Sequence, residues 1–243
     1  MASVIKEPIQ HGQSLTGEVE TVLKREILTG QYRPGERLPS ERDLSERFHT
    51  SRGTVREAVK KLEQLGIVSI QPGGARVVPI EKATLDVLGT LLKLQTPPDP
   101  LLVDQVVEVF GTLMRLAALS AVDKASDEQI YDAVQVAQGL LDAKTADQHP
   151  ALRRMAFTFI EISKHLVLQL VMNGMHTQFI EQPWTDHQPV LEHKPLSKII
   201  RRLQAGLKNR QHDEVSDAML ELNRLLRSSV SKAFGSVKEQ TRN

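Results

Sequence analysis

GERLPSERDLSERFHTSRGTVREAVKKLEQLGIV, residues 35–68, reads as a short helix, a polar turn, a longer helix and the start of a strand. Ser40 is a favourable N-cap, and Asp43 stands three residues on, where the acidic partner of a capping box belongs. The apolar side of this short helix is Leu44 and Phe48. His49, Thr50 and Ser51 make the turn. From 52 to 65, Val55, Val59, Leu62 and Leu65 fall on one stripe with Ala58 beside it, the period of an amphipathic helix. Gly66 supplies its stop.

Working outward, Leu15, Val19, Leu23 and Ile27 predict a helix over 14–30 that ends at Gly30. Gln31-Tyr32-Arg33-Pro34-Gly35 predicts a turn. On the other side, Ile67-Val68-Ser69-Ile70 and Ala75-Arg76-Val77-Val78 are β-prone runs joined by Gln71-Pro72-Gly73-Gly74, the pattern of a hairpin. Three helices and a hairpin compose a small winged helix-turn-helix domain, expected over 14–80 behind a flexible N-terminus at 1–13. A linking helix is expected at 83–95, within a helical linker spanning 81–100. Thr96-Pro97-Pro98-Asp99-Pro100 then interrupts any helix.

Beyond the prolines the periodicity is helical throughout. Val103, Val106, Val107, Phe110, Leu113 and Ala117 form one stripe, and Ile130, Ala133, Val134, Ala137, Leu140 and Leu141 another. The stretch 155–175 is apolar nearly all round, which predicts a central buried helix. Val215, Met219, Leu222, Leu226 and Val230 hold register over 213–234. The expected fold is mainly α: the winged domain, then an all-helical bundle over 101–235, then a tail at 236–243.

A net charge of +1 does not announce a nucleic-acid binder, so any such function must rest on where the charges sit. Between Arg33 and Lys61 there are eight Lys/Arg (Arg33, Arg37, Arg42, Arg47, Arg52, Arg56, Lys60, Lys61) against five acids. Ser51, Arg52, Gly53, Thr54 and Arg56 cluster on the first turns of helix 52–65, opposite its apolar stripe. A recognition helix reads base edges from that end; arginine can grip guanine bidentately, and hydroxyls and helix N-terminal amides suit phosphates. Gly53 would let the helix start approach a duplex closely. A surface helix of an unrelated three-helix domain carries a similar charge run, and the charges alone leave that alternative open.

The chain has no cysteine, which removes disulfides, thiolate zinc sites and cysteine nucleophiles. It has no signal-peptide-like N-terminus and no run of about 18 consecutive apolar residues, so a cytoplasmic protein with no membrane partner is expected. No phosphate-cradling glycine loop, Gly-x-Ser-x-Gly or His-Glu-x-x-His occurs, so no catalytic residues and no cofactor are expected.

Gly35-Glu36-Arg37-Leu38-Pro39-Ser40-Glu41-Arg42-Asp43-Leu44-Ser45, then Ser51 to Ala58, then Leu62, Gly66, Ile67 and Val68 closely resemble the winged-helix signature of GntR-family bacterial regulators. That resemblance implies a dimeric transcription factor on a pseudo-palindromic double-stranded operator. It assigns DNA contacts to Arg42, Arg52, Thr54 and Arg56, and to the wing tip near Gly73 and Gly74. The wing departs from the pattern: Arg76 is the only cation in its sequence neighbourhood.

An all-helical second domain resembles the FadR-type subgroup of that family. Most of its members hold a metal through one Asp and three His. The matching positions here read Arg154, Thr158, Arg201 and Asn223, which are poor ligands, so no metal is expected. His165, His176, His187, His193 and His212 could assemble another site, although none pairs at i, i+4. Loss of the metal ligands, together with Leu170-Val171-Met172-Asn173-Gly174-Met175, resembles the fatty-acid-responsive member of the subgroup, which implies a long-chain acyl-CoA effector. Arg115, Phe157, Met172 and Asn173 are the candidate ligand residues. The competing expectations are a metal-dependent sensor of a small carboxylate and a ligand-independent DNA-binding dimer.

Overall fold

Ser14, Ser40 and Ser51 each begin a helix, and each does so by accepting on its hydroxyl the backbone amide three residues on. The computed structural model describes residues 14–177 and 189–240, with side chains described as far as residue 233. It folds as two units, residues 1–94 and 95–243.

In the first unit, α1 (Leu15–Leu28), α2 (Glu41–Arg47) and α3 (Arg52–Gln64) are followed by β1 (Val68–Gln71) and β2 (Gly74–Val77). Ser40 Oγ accepts from the Asp43 amide at 3.2 Å, and Asp43 Oδ2 accepts from the Ser40 amide at 3.2 Å, so the expected capping box is complete. The Ser40 hydroxyl, donating to Asp43 Oδ2 at 2.7 Å, and then the Ser40 amide hold the Asp43 carboxyl below its usual pKa. The core is the predicted set of stripes: Val19, Leu23 and Ile27 from α1, Leu44 from α2, and Val55, Ala58, Val59 and Leu62 from α3. Apolar faces at this period bury against each other because no other arrangement removes all of them from water.

Gly66 turns the chain from α3 into the hairpin at φ +74°, and a Cβ there would lie 2.7 Å from the Lys82 carbonyl oxygen. The position therefore needs glycine twice over, for its backbone angle and for its closeness to a neighbouring segment. In the hairpin Val68 pairs with Val77 and Gln71 with Gly74. The strands thus sit one residue inward of expectation and leave a two-residue turn, Pro72-Gly73. The segment after the first turn is more than a loop: Leu38 N–H donates to Ala75 O at 2.9 Å and Val77 N–H to Glu36 O at 2.9 Å, placing Arg37 opposite Arg76 across β2.

The linking helix expected at 83–95 is shorter. A 3₁₀ turn (Leu85–Val87) leads into α4 (Leu88–Lys93), and Val87 and Leu91 pack against the core of the first unit.

The second unit is helical among its described residues: α5 (Pro100–Lys124), α6 (Asp127–Asp142), α7 (Gln148–Ser163), α8 (Leu166–Met175), α9 (His193–Lys208) and α10 (His212–Gln240). Asp99 caps α5, with Pro100 at its first position, where the missing N–H is no loss. α5 is long and apolar enough to cross a membrane by length and composition, yet Val103, Met114, Ala117, Ala118 and Ala121 are buried in the bundle, the pattern of a core helix. α10 lies along α5 and α9, α7 along α5 and α6. The final helix continues into the stretch expected to be a tail.

The single buried helix expected over 155–175 is corrected. Lys164 takes a left-handed conformation (φ 47°) that ends α7, and the His165 ring then accepts from the Leu168 amide at 3.2 Å to start α8. α8 buries only Leu168, Met172 and Met175. Leu166 is 66% and Leu170 60% exposed, because a ten-residue helix redirected at that break can turn only one stripe inward.

Candidate nucleic-acid interface and internal cavity

α3 presents Ser51, Arg52, Gly53 and Arg56 as exposed residues at its start, with Thr54 half-buried beside them. Ser51 Oγ caps the helix through the Thr54 amide at 3.1 Å and lies 3.0 Å from Thr54 Oγ1. A Cβ built on Gly53 would meet only Ser51 Oγ, at 3.6 Å. Nothing among the described residues requires glycine here, and the backbone is left bare on that side.

The cations differ in how they are held. Arg56 donates from Nε and Nη2 to the two carboxylate oxygens of Glu41 at 2.9 and 2.7 Å, tying α3 to α2. That pairing holds the Glu41 carboxyl below its usual range, with Arg52 and Lys60 adding to the pull. Arg42 pairs with Glu46 at 3.0 Å on α2 itself. Arg47 pairs with Glu26 of α1 and stacks 4.8 Å over the Phe48 ring, a structural role. Lys60 pairs with Glu57, and Lys61 with Glu20. Arg52 makes no hydrogen bond or ion pair with any described residue. A guanidinium with five donors and no internal acceptor, at a helix N-terminus, is suited to an external anion or base edge.

At the wing, Gly73 (φ +97°) and Gly74 (φ +126°) form the tip, and Arg76 donates from Nη1 to the Gly35 carbonyl at 3.0 Å. The sequence reading missed Arg37. Its side chain lies against Gly74, where a Cβ would come within 2.6 Å of Arg37 Nε. Only the pairing of residues 35–38 with β2 brings it there, and no local periodicity announces that pairing.

The structure does not gather the four candidate ligand residues around one cavity. Arg115 donates from Nε and Nη2 to Ser216 Oγ at 2.8 and 2.5 Å, joining α5 to α10. Phe157 is 41% exposed and edges onto His176, with ring centroids 5.0 Å apart. Met172 is buried in the core, and Asn173 is exposed. A small apolar pocket of about 20 Å³ lies elsewhere in the bundle, lined by Phe110 and Met114 of α5, Met155 of α7, and Met219 and Asn223 of α10. Asn223 Oδ1 is buried there without a hydrogen-bond partner. A Cβ on Gly111 would fall 2.1 Å from the Asn223 side chain, so the glycine makes room for the amide.

Among the described residues no group of three His, Asp or Glu could hold a metal. Arg154 and Arg201 are exposed, and Thr158 donates to the Arg154 carbonyl. His165 caps α8 and His212 pairs with Asp123 at 2.6 Å, whereas His187 lies outside the described residues.

Residues 15–78 match the profile of the bacterial regulatory proteins of the gntR family. Residues 15–78 are thus similar to a gntR-family domain. That domain begins at the first residue of α1 and ends one residue past β2, so it contains the whole array of cations just described. The chain is also similar to the fatty acid metabolism regulator protein of Klebsiella pneumoniae, 28% identical over 167 residues, covering 67% of this chain and 68% of that one. The protein of the same name from Serratia proteamaculans is 29% identical over 168 residues, with the same shares covered. Among solved structures, Streptococcus agalactiae GntR superposes at a TM-score of 0.46 with 20% identity, covering 88% of this chain and 99% of that one. Escherichia coli McbR/YncC superposes at 0.44 with 18% identity, covering 93% and 99%. The match assigns residues 15–78 to a domain of bacterial regulatory proteins and does not extend to the helical unit.

Proposed function

We propose that this regulator binds a pseudo-palindromic operator as a homodimer and that a long-chain fatty acyl thioester in its helical unit controls that binding. The observation that carries the DNA half is Arg52, an unpaired guanidinium on the first turn of α3 beside the Ser51 hydroxyl and the bare Gly53 backbone. Arg56 and Arg42 add to it, since exposed ion pairs are weakly held and can exchange a carboxylate for a phosphate. Two copies related by a two-fold would place two α3 helices in successive major grooves.

The effector reading rests on the similarity to proteins named fatty acid metabolism regulators and on the chemistry of the internal cavity. Its lining is apolar except for Asn223, which suits an acyl chain with one hydrogen-bonding group. About 20 Å³ is room for roughly one water molecule. An acyl chain therefore needs α5, α7 and α10 to part, and the ligand acts by favouring the opened arrangement over the closed one. Arg115, held only by Ser216, is available as an anion contact.

The test uses a duplex enriched by the wild-type protein from a random library, with binding followed by fluorescence anisotropy. Oleoyl-CoA is expected to release the duplex, and free CoA is not. If neither changes the affinity while ultracentrifugation still finds a dimer, the helical unit only dimerises. Trp184, a convenient reporter of such titrations, lies outside the described residues.

A further inference from the structure

The wing turns a two-arginine face outward. Arg37 is paired directly opposite Arg76 across β2, so the two side chains leave the same side of the sheet. Ser69, opposite Arg76 on β1, and Gly74, two residues before it on β2, share that side. Along the strand the two guanidiniums lean apart. Arg76 reaches toward the base of the wing and donates to the Gly35 carbonyl. Arg37 reaches toward the tip and lies across Gly74, the last paired residue before the turn.

Two like charges directly opposite each other across a ladder are unfavourable. Among the described residues no carboxylate forms an ion pair with either arginine, and Arg37 makes no hydrogen bond at all. Several other cations of this domain are paired with acids: Arg56 with Glu41, Arg42 with Glu46, Arg47 with Glu26 and Lys61 with Glu20. Arg37 and Arg76, like Arg52 at the start of α3, have no such pair among the described residues. Gly74 fits the same reading, because any side chain there would displace the Arg37 guanidinium from the tip.

We propose that the Arg37–Arg76 face of the wing is a binding site for DNA backbone phosphates, with Arg37 supplying the tip cation that the turn Pro72-Gly73-Gly74-Ala75 lacks. The site rests on the operator-binding reading above and adds to it a contact that carries no base sequence. Each guanidinium presents a fork that matches the oxygens of a phosphate. The wing thereby fixes the register of α3 in its groove, while base reading stays with Arg52 and its neighbours.

The experiment compares the wild-type chain with Arg37→Gln, Arg37→Lys, Arg76→Gln and Arg52→Ala. Each is titrated onto two fluorescein-labelled duplexes, the one enriched by the wild type and a mixed-sequence one of equal length, at about 50 and about 200 mM salt. Arg37→Gln is expected to weaken both duplexes by the same factor. It should lower the slope of log affinity against log salt by about 0.9 for each protomer bound, so that each protomer's loss is about threefold larger at the lower salt. Arg37→Lys should restore the slope. A wild-type slope in Arg37→Gln, with Arg52→Ala still weakening the enriched duplex, overturns the phosphate site and leaves the operator reading standing. A loss confined to the enriched duplex also overturns it, since that would be base reading. Failure of the wild type to bind either duplex overturns the operator reading itself.

Discussion

Arg52 and Arg56 stand one helical turn apart on α3, and only Arg56 is hydrogen-bonded to Glu41. Arg52→Ala removes a guanidinium that no internal group uses, so the fold should be untouched and specific operator binding weakened by about 1–3 kcal/mol. Thermal melting and anisotropy on the enriched duplex check both halves of that statement. Glu41→Gln releases Arg56 and removes an acid from the face that meets phosphates. Its affinity for mixed-sequence duplex should rise, with little change in melting temperature, as an exposed pair contributes little to stability. His149 belongs to the same scale. Burial first, and the charge of Arg153 second, push its pKa below the ordinary histidine value. The folded state therefore disfavours the protonated ring, and the unfolded chain binds a proton that the folded chain does not as pH falls below about 6.5. The wild type should lose more stability than His149→Asn between pH 7.5 and 5.5, a difference read from melting temperatures; equal losses would contradict it.

At the scale of elements, junctions matter more than interiors. Gly66→Ala would put a Cβ 2.7 Å from the Lys82 carbonyl at a left-handed φ, where a non-glycine residue costs about 1–3 kcal/mol before any clash. The expected result is a lower melting temperature for the winged domain and a loss of DNA binding that follows unfolding. Ser40→Ala should cost about 1 kcal/mol, since α2 is only seven residues long and its capping box is complete. The periodicities of α1, α2 and α3 were legible in sequence because each helix buries a single stripe in one shared core. The strands of the wing were legible to within one residue. The α7–α8 break was not: nothing in the apolar run 155–175 marks Lys164 as left-handed, and the His165 cap exists only once the chain has turned there.

Across the molecule, the cavity among α5, α7 and α10 joins residues distant in sequence. Gly111, Met155 and Asn223 come from three helices, and Asn223 keeps a buried oxygen without a donor. Asn223→Leu, similar in shape and free of that unsatisfied acceptor, should raise the melting temperature by an amount corresponding to about 1 kcal/mol. If the cavity is the effector site, the same substitution should blunt release of the enriched duplex by oleoyl-CoA. Melting and release measured on one preparation separate a structural role from a binding one.

Sequence alone determined the mainly helical class, the Ser40 cap, the core stripes of the winged domain and the basic start of α3. These are local properties: hydrophobic period, capping chemistry and the charge of one helical turn are written within a few residues of each other. Tertiary structure alone decided which cations are free. Arg37 reaches the wing tip because residues 35–38 pair with a strand some 40 positions on, and Arg56 is held because α2 brings Glu41 beside it. Whether a charge is paired depends on what the fold carries next to it, and neighbours across the fold leave no mark in the spacing of the chain.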